Sequence, residues 1–187
     1  MKIIGGKYKG TTLLVPKGRL VRPTLALKKE ALFNILTSYL LKLNDKDILS
    51  NKVVFDAFAG SGGLGLEALS RGASFCYFVE ENKTVVKFLN SNCYKILKKN
   101  QFEILNIKYN NLSIKTLKKN INIIFFDPPY NYIIKESMFD LIIEKTTSNP
   151  IFILETSNKT HIPKINYLKV IDERFFGKTK ISFLIKK

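Results

Sequence analysis

Apolar and β-branched residues gather along this chain in short runs, separated by stretches whose apolar positions recur at helical spacing. The runs cover residues 52–55, 75–79, 103–105 and 121–126, with a fifth at 151–154. Between them, residues 63–70, 83–99 and 134–145 read as helices, and Val86, Leu89, Cys93 and Leu97 fall on one face of the second. Strand and helix patterns in alternation are the signature of βαβ units. They predict a right-handed, doubly wound α/β sheet with helices on both faces. Beyond residue 155 the helical spacing stops, and residues 167–174 and 179–186 flank the turn Phe176-Gly177-Lys178 as a hairpin on one sheet edge.

Ahead of the first βα unit, residues 3–8 and 11–15 flank Lys9-Gly10 and read as a small basic hairpin. Thr24, just after Pro23, is placed to cap a helix from residue 25 to about 42, with Ala31, Leu32, Ile35, Leu36 and Tyr39 on its buried side. No repeat, long linker or low-complexity block interrupts the pattern. One domain is expected over residues 1–187, divided into an N-terminal extension, 1–23, and a core, 24–187.

Composition narrows the possible functions. No apolar window approaches the ~20 residues that span a bilayer, and the start Met1-Lys2-Ile3-Ile4-Gly5-Gly6 turns polar early, so a cytoplasmic protein without a membrane partner is expected. Cys76 and Cys93 lack metal-ligand spacing and His161 is the sole histidine, which predicts no metal site, no disulfide and no histidine-based triad. A formal net charge of +16 fits a polyanionic partner. Most of that charge is lysine in a chain also rich in asparagine and isoleucine, a bias that AT-rich coding produces unaided.

Two turns carry the chemistry. Residues 53–65 run from a strand ending at Asp56 through Phe58-Ala59-Gly60-Ser61-Gly62 into a helix start, a glycine-rich turn that lets a ligand approach the backbone. An acid directly before the turn suits a ligand bearing a sulfonium and an ammonium better than a pyrophosphate, which points to S-adenosylmethionine. Glu80, after the second strand, is placed to accept from both ribose hydroxyls, and Asn110 or Asn111, after the third, to bond the adenine edge.

The second turn is Asp127-Pro128-Pro129-Tyr130, directly after the fourth strand. An amine conjugated to a nucleobase is a poor nucleophile, and acceptors that favour a more tetrahedral nitrogen make it a better one. Asp127 and the Pro128 carbonyl can be those acceptors, the two prolines hold the turn rigid, and Tyr130 supplies a face for stacking. An ordinary turn after a buried strand also accommodates Pro-Pro, so the tetrapeptide gains its meaning from its neighbours.

With the glycine turn, Glu80 and Asp-Pro-Pro-Tyr in this order, the chain resembles the RsmD family of bacterial 16S ribosomal RNA guanine-N(2)-methyltransferases. The likeness extends over Ile3-Ile4-Gly5-Gly6, Lys9-Gly10, Arg22-Pro23-Thr24, residues 30–36, residues 58–72 and Gly177-Lys178-Thr179. It implies a class I methyltransferase fold, Rossmann-like, with a seven-stranded sheet and one antiparallel strand. It also implies S-adenosylmethionine as methyl donor, S-adenosylhomocysteine as product, and one guanine 2-amino group of 16S rRNA, free or in an assembling small subunit, as target. By that likeness Asp127, Pro128, Pro129 and Tyr130 form the catalytic turn. Asp56, Phe58, Ala59, Gly60, Ser61, Gly62, Glu80, Asn110 or Asn111, and Asp127 meet the cofactor, while Lys7, Lys9, Lys17, Arg19 and Arg22 meet rRNA, and the protein acts as a monomer. One departure stands out: after Arg22-Pro23-Thr24 the chain has Leu25-Ala26-Leu27, where the family's pattern has a polar pair with an arginine, although Lys28 and Lys29 keep positive charge nearby. A DNA amino-methyltransferase shares the chemistry but usually carries a DNA-reading domain, for which no segment here is long enough. A non-catalytic RNA-binding assembly module is a further alternative, against which the intact turns argue.

Overall fold

The computed structural model describes residues 1–16, 23–43, 48–129 and 132–187. Its centre is a seven-stranded sheet in the order β3-β2-β1-β4-β5-β7-β6. The parallel part comprises β1 (Val53–Asp56), β2 (Phe75–Val79), β3 (Phe102–Leu105), β4 (Ile121–Phe126) and β5 (Thr146–Ser157). Strand β7 (Thr179–Lys186) runs antiparallel between β5 and β6 (Leu168–Phe176) and completes the edge hairpin read from the sequence.

Alternation along the strands divides the core into two layers. Phe78, Phe125, Ile153 and Phe183 face the side covered by α1 (Pro23–Lys42), α2 (Gly65–Ser70) and α3 (Lys83–Ile96) with the N-terminal segment. Their neighbours Tyr77, Phe126, Phe152 and Leu184 face the opposite side, where α4 (Ser137–Ile143) contributes Met138, Phe139 and Ile142. Strands buried on both faces read as continuous apolar runs, as parallel strands in a doubly wound fold do.

Several boundaries differ from the sequence expectations for local reasons. Helix α1 begins at Pro23, so Thr24 lies in its first turn rather than at its cap, a position where a proline's fixed φ is already helical. Its buried residues are Lys29, Leu32, Phe33, Leu36 and Leu40, while Ala31, Ile35 and Tyr39 stand only half buried. Helix α3 starts where expected, capped by the Asn82 side chain, but ends at Ile96 because Leu97 is extended and a 3-10 turn follows over residues 99–101. Helix α4 is shorter than residues 134–145, and β5 is longer than residues 151–154.

The N-terminal segment forms an antiparallel ribbon with a single bridge, Lys2 to Thr12, in place of two full strands. Residues 5–10 turn instead of pairing because they dock on α2. Lys7 N–H donates to Ser70 O at 2.7 Å, Tyr8 N–H to Ser70 Oγ at 2.9 Å, and Ser70 Oγ–H to Gly5 O at 2.6 Å. Gly6, with φ of +74°, lies so close that a Cβ there would meet Ser70 O at 1.9 Å.

Candidate active site

Three acids stand at the C-terminal ends of three adjacent strands. Asp56 closes β1 opposite Phe78 of β2 and Phe125 of β4, so Glu80 and Asp127 both follow two residues further along, one on each side of the turn leaving β1. Two strand spacings, about 10 Å, separate those flanking positions. In an open α/β sheet this crevice at the carboxyl ends of the strands is where ligands bind.

The turn between Asp56 and α2 is shaped by backbone bonds to both neighbouring strands. Ala57 N–H donates to Phe125 O at 3.0 Å, Ala59 N–H to Val79 O at 2.9 Å and Gly60 N–H to Glu80 Oε2 at 2.9 Å. Gly60 and Gly62 have φ of +54° and +89°, the left-handed region that glycine enters without penalty. Gly65 presses on β2, where a Cβ would lie 2.3 Å from Phe78 Cε1.

Asp56 is placed beneath this turn, 1% exposed, where it accepts from Gly65 N–H at 2.9 Å and thereby fixes the start of α2. Burial pushes its carboxyl up to about 7, opposed by the Gly65 amide and reinforced by the nearby Glu80 charge. The folded protein holds a proton that the unfolded chain releases near its ordinary value of 3.8, so the group favours folding in acid and that contribution is lost as pH rises through about 7. Asp56→Asn keeps an acceptor for Gly65 without the charge. It is expected to gain on the parent by up to about 3 kcal/mol in urea unfolding between pH 5 and pH 8, and parallel pH profiles for the two proteins would contradict the burial effect.

Glu80 is half buried, and its Oε1 accepts from Asn82 N–H at 2.8 Å, so the carboxylate bridges the glycine turn and the start of α3. A carboxylate has about four acceptor sites, enough to add a diol to these two amides. Asn110 and Asn111 are both exposed on the 3-10 turn after β3, and Asn110 Oδ1 accepts from Tyr132 Oη–H at 2.8 Å. Tyr132 in turn meets the Phe58 ring at 5.1 Å, edge on, and Phe58 packs on Tyr109 at 5.6 Å. An aromatic wall thus joins the glycine turn to the segment after the Asp-Pro-Pro turn.

Asp127 and Pro129 are exposed at the end of β4, while Pro128 is buried and anchors the turn. Ala59, Ser61 and Gly62 are buried. Lys7 and Lys9 are exposed on the N-terminal turn, away from any strand pairing. Tyr130, Lys17, Arg19 and Arg22 lie outside the described residues. Among the described residues no group of three or more His, Cys, Asp or Glu side chains is placed to hold a metal, and no helix is long and apolar enough to cross a membrane.

Two supporting residues escaped the sequence reading. Asn92 is fully buried in α3 and donates from Nδ2 to Ser61 O and Leu14 O, both at 2.9 Å, while its Oδ1 accepts from Leu14 N–H at 2.7 Å. It ties the glycine turn to the N-terminal ribbon; a polar residue beside Cys93 on the helix's apolar stripe was its only signal. Asn106 donates from Nδ2 to Glu80 O at 2.8 Å and Glu81 O at 3.1 Å, and holds the backbone of the turn after β2.

Comparison with known proteins places this geometry. The family profile described as conserved hypothetical protein 95 matches residues 1–185. Ribosomal RNA small subunit methyltransferase D of Haemophilus influenzae is 33% identical over 156 residues, which span 80% of this chain and 74% of that protein. The structure of yhhF from Escherichia coli superposes with a TM-score of 0.79 at 24% identity, covering 100% of this chain and 98% of that one. Magnesium protoporphyrin IX methyltransferase from Synechocystis, solved with bound S-adenosylmethionine, has the same fold at 14% identity, with a TM-score of 0.64 over 92% of this chain and 87% of that one.

Proposed function

The chain belongs to the RsmD family, described as conserved hypothetical protein 95, with the fold of class I S-adenosylmethionine-dependent methyltransferases, and from that premise we propose that it methylates the 2-amino group of a guanine in small-subunit rRNA. The observation that carries this reading is the placement of Asp127 and Pro128 at the end of β4, across the β1 turn from Glu80. A nucleobase amine held at Asp127 then faces a methyl donor lying between the glycine turn and Glu80.

The residues fit that donor. Glu80 offers a charged acceptor to a ribose, the glycine turn admits the sulfonium and its amino-acid arm close to the backbone, and Phe58 supplies an apolar wall. Asp56 acts from below by setting the turn, and Asn110, already joined to Tyr132, is the better placed of the two asparagines to border the adenine. S-adenosylmethionine supplies a methyl on a sulfonium, whose carbon–sulfur bond breaks as the nitrogen–carbon bond forms, with the electron pair leaving on sulfur. Asp127 and the Pro128 carbonyl accept the two amine hydrogens and turn the nitrogen lone pair toward the methyl, so that most of the acceleration comes from positioning. The alkylated nitrogen is acidic, and its surplus proton passes to Asp127 or to water.

We place the rRNA on the side of the N-terminal ribbon, where Lys7 and Lys9 stand exposed, with Tyr130 stacking on the target base and Lys17, Arg19 and Arg22 extending the basic surface. The protein works in the cytoplasm as one catalytic domain with a basic extension, and as a monomer. Tritiated methyl transfer separates the readings: label is expected in small-subunit rRNA from cells lacking this protein, at one guanine mapped by primer extension. Label in duplex DNA would favour a DNA amino-methyltransferase, and no label in either would leave a binding module.

A further inference from the structure

One acid–base pair beside Asp127 has no part in the chemistry above. Strand β5 runs parallel to β4 with Phe125 opposite Ile153 and Phe126 opposite Leu154, so Asp127 and Glu155 follow at the same level, one strand spacing of about 4.8 Å apart. Glu155 alternates onto the α1 face with Ile151 and Ile153, the face that Ile123 and Phe125 take on β4 just before Asp127. Its Oε1 accepts from Lys28 Nζ–H of α1, 127 residues away in sequence.

This is an expensive way to join α1 to β5. Taking both charges out of water carries a desolvation penalty that their attraction offsets only in good geometry, and Leu32, Phe33 and Leu36 already pack the same helix onto the same face. The pair is not sealed, since 12% of the Lys28 side chain and 9% of the Glu155 side chain remain exposed. A carboxylate has about four acceptor sites and an ammonium three donors, so the pair has capacity beyond the bond that joins it.

Its position assigns a ligand. The strand order puts the donor's binding turns on β1 and β2 and puts β5 on the far side of Asp127. An in-line transfer requires the nucleophile on that far side, over the end of β5. Beside its 2-amino group a guanine presents an N1–H donor and then the O6 acceptor.

We propose that the Lys28–Glu155 pair reads the Watson–Crick edge of the target guanine, with Glu155 accepting from N1–H and Lys28 donating to O6 while the 2-amino group sits at Asp127. Adenine is rejected because its N1 is an acceptor facing a carboxylate and its N6 amine a donor facing an ammonium. The assignment rests on the guanine reading given above and adds the residues that select the base.

The test uses 2,6-diaminopurine, which keeps the 2-amino nucleophile but has an acceptor at N1 and an amine at position 6. Small-subunit particles are reconstituted with guanine or diaminopurine at the mapped target, and kcat/KM is compared for the full-length parent, Glu155→Gln and Lys28→Met. The parent is expected to prefer guanine by at least about tenfold. Glu155→Gln offers an amide donor to the diaminopurine N1 and is expected to shrink that ratio at least about tenfold, and Lys28→Met to lower turnover of guanine alone. If the pair only braces α1 on β5, each variant lowers both substrates by one common factor and the ratio keeps its parental value, which overturns the proposal. A parent that accepts both bases equally overturns it without recourse to any variant. Absence of label in the parent's guanine particles is a separate outcome, which removes the guanine reading and this assignment with it.

Discussion

Replacing Asp127 by alanine is expected to lower methyl transfer by about 10³-fold or more while S-adenosylmethionine still binds. The carboxylate stands exposed at the end of β4 on a turn anchored by buried Pro128, whereas the surfaces proposed for the cofactor lie on β1, on β2 and around Phe58. Removing it is expected to leave the donor in place and to take away the acceptor proposed to aim the amine lone pair. Asp127→Asn separates two ways in which the residue can work, because its Oδ1 still accepts a hydrogen bond but takes up no proton. Positioning as the main contribution predicts that Asn retains far more activity than Ala. Single-turnover transfer of a tritiated methyl, with cofactor affinity from calorimetry, measures both effects. An Ala variant at near-parental rate, or one that has lost the cofactor, would remove the assigned role.

The parallel sheet was legible because its central strands, β1, β2 and β4 above all, are buried on both faces. Runs such as Ile121-Asn122-Ile123-Ile124-Phe125-Phe126 announce themselves, and the observed β1 to β4 lie within a residue of the expected spans. Strand β5 was read short because its first four residues, Thr146 to Asn149, are polar and only half buried or exposed, and its pairing with β4 is irregular between Ile121 and Ile123. The acids at the strand ends could be found from position alone, since the end of a parallel strand is where a ligand binds. What escaped was polar burial. A periodic pattern counts apolar residues and gives no sign that Glu67, Asn92 and Lys29, all nearly or fully inaccessible, hold the N-terminal ribbon and the glycine turn in place. Apart from Arg71, one helical turn beyond Glu67, the partners named for them lie 27 to 78 residues away in sequence, and no local spacing reveals such pairs.

Glu67 is the position where stability is expected to suffer most. Its fully buried carboxylate meets Lys29 Nζ at 2.8 Å and Arg71 Nε at 2.8 Å, and it accepts from Ile4 N–H at 2.9 Å, so one anion bridges two cations and pins the start of the chain. Lys29 donates to Lys2 O as well, and burial lowers its pKa while Glu67 pulls it back up. Glu67→Gln keeps the shape and an acceptor for Ile4 but leaves two cations, one 5% exposed, without their counter-charge. Breaking a buried ion pair from one side costs about 3–5 kcal/mol, and a loss of that size is expected in urea unfolding. Adding Lys29→Met removes one of the stranded charges and is expected to restore part of the loss, which a simple packing defect would not allow. The damage should also spread along the chain. Helix α2 carries Ser70, which holds residues 5–8, and begins at Gly65, whose amide Asp56 fixes below the glycine turn. Faster hydrogen exchange is therefore expected at the Ile4 and Tyr8 amides in Glu67→Gln, with weaker cofactor binding following from a loosened α2. Unchanged exchange at those amides would show that the ribbon is held by its other bonds, to Ser70, Asn92 and Lys29, without Glu67.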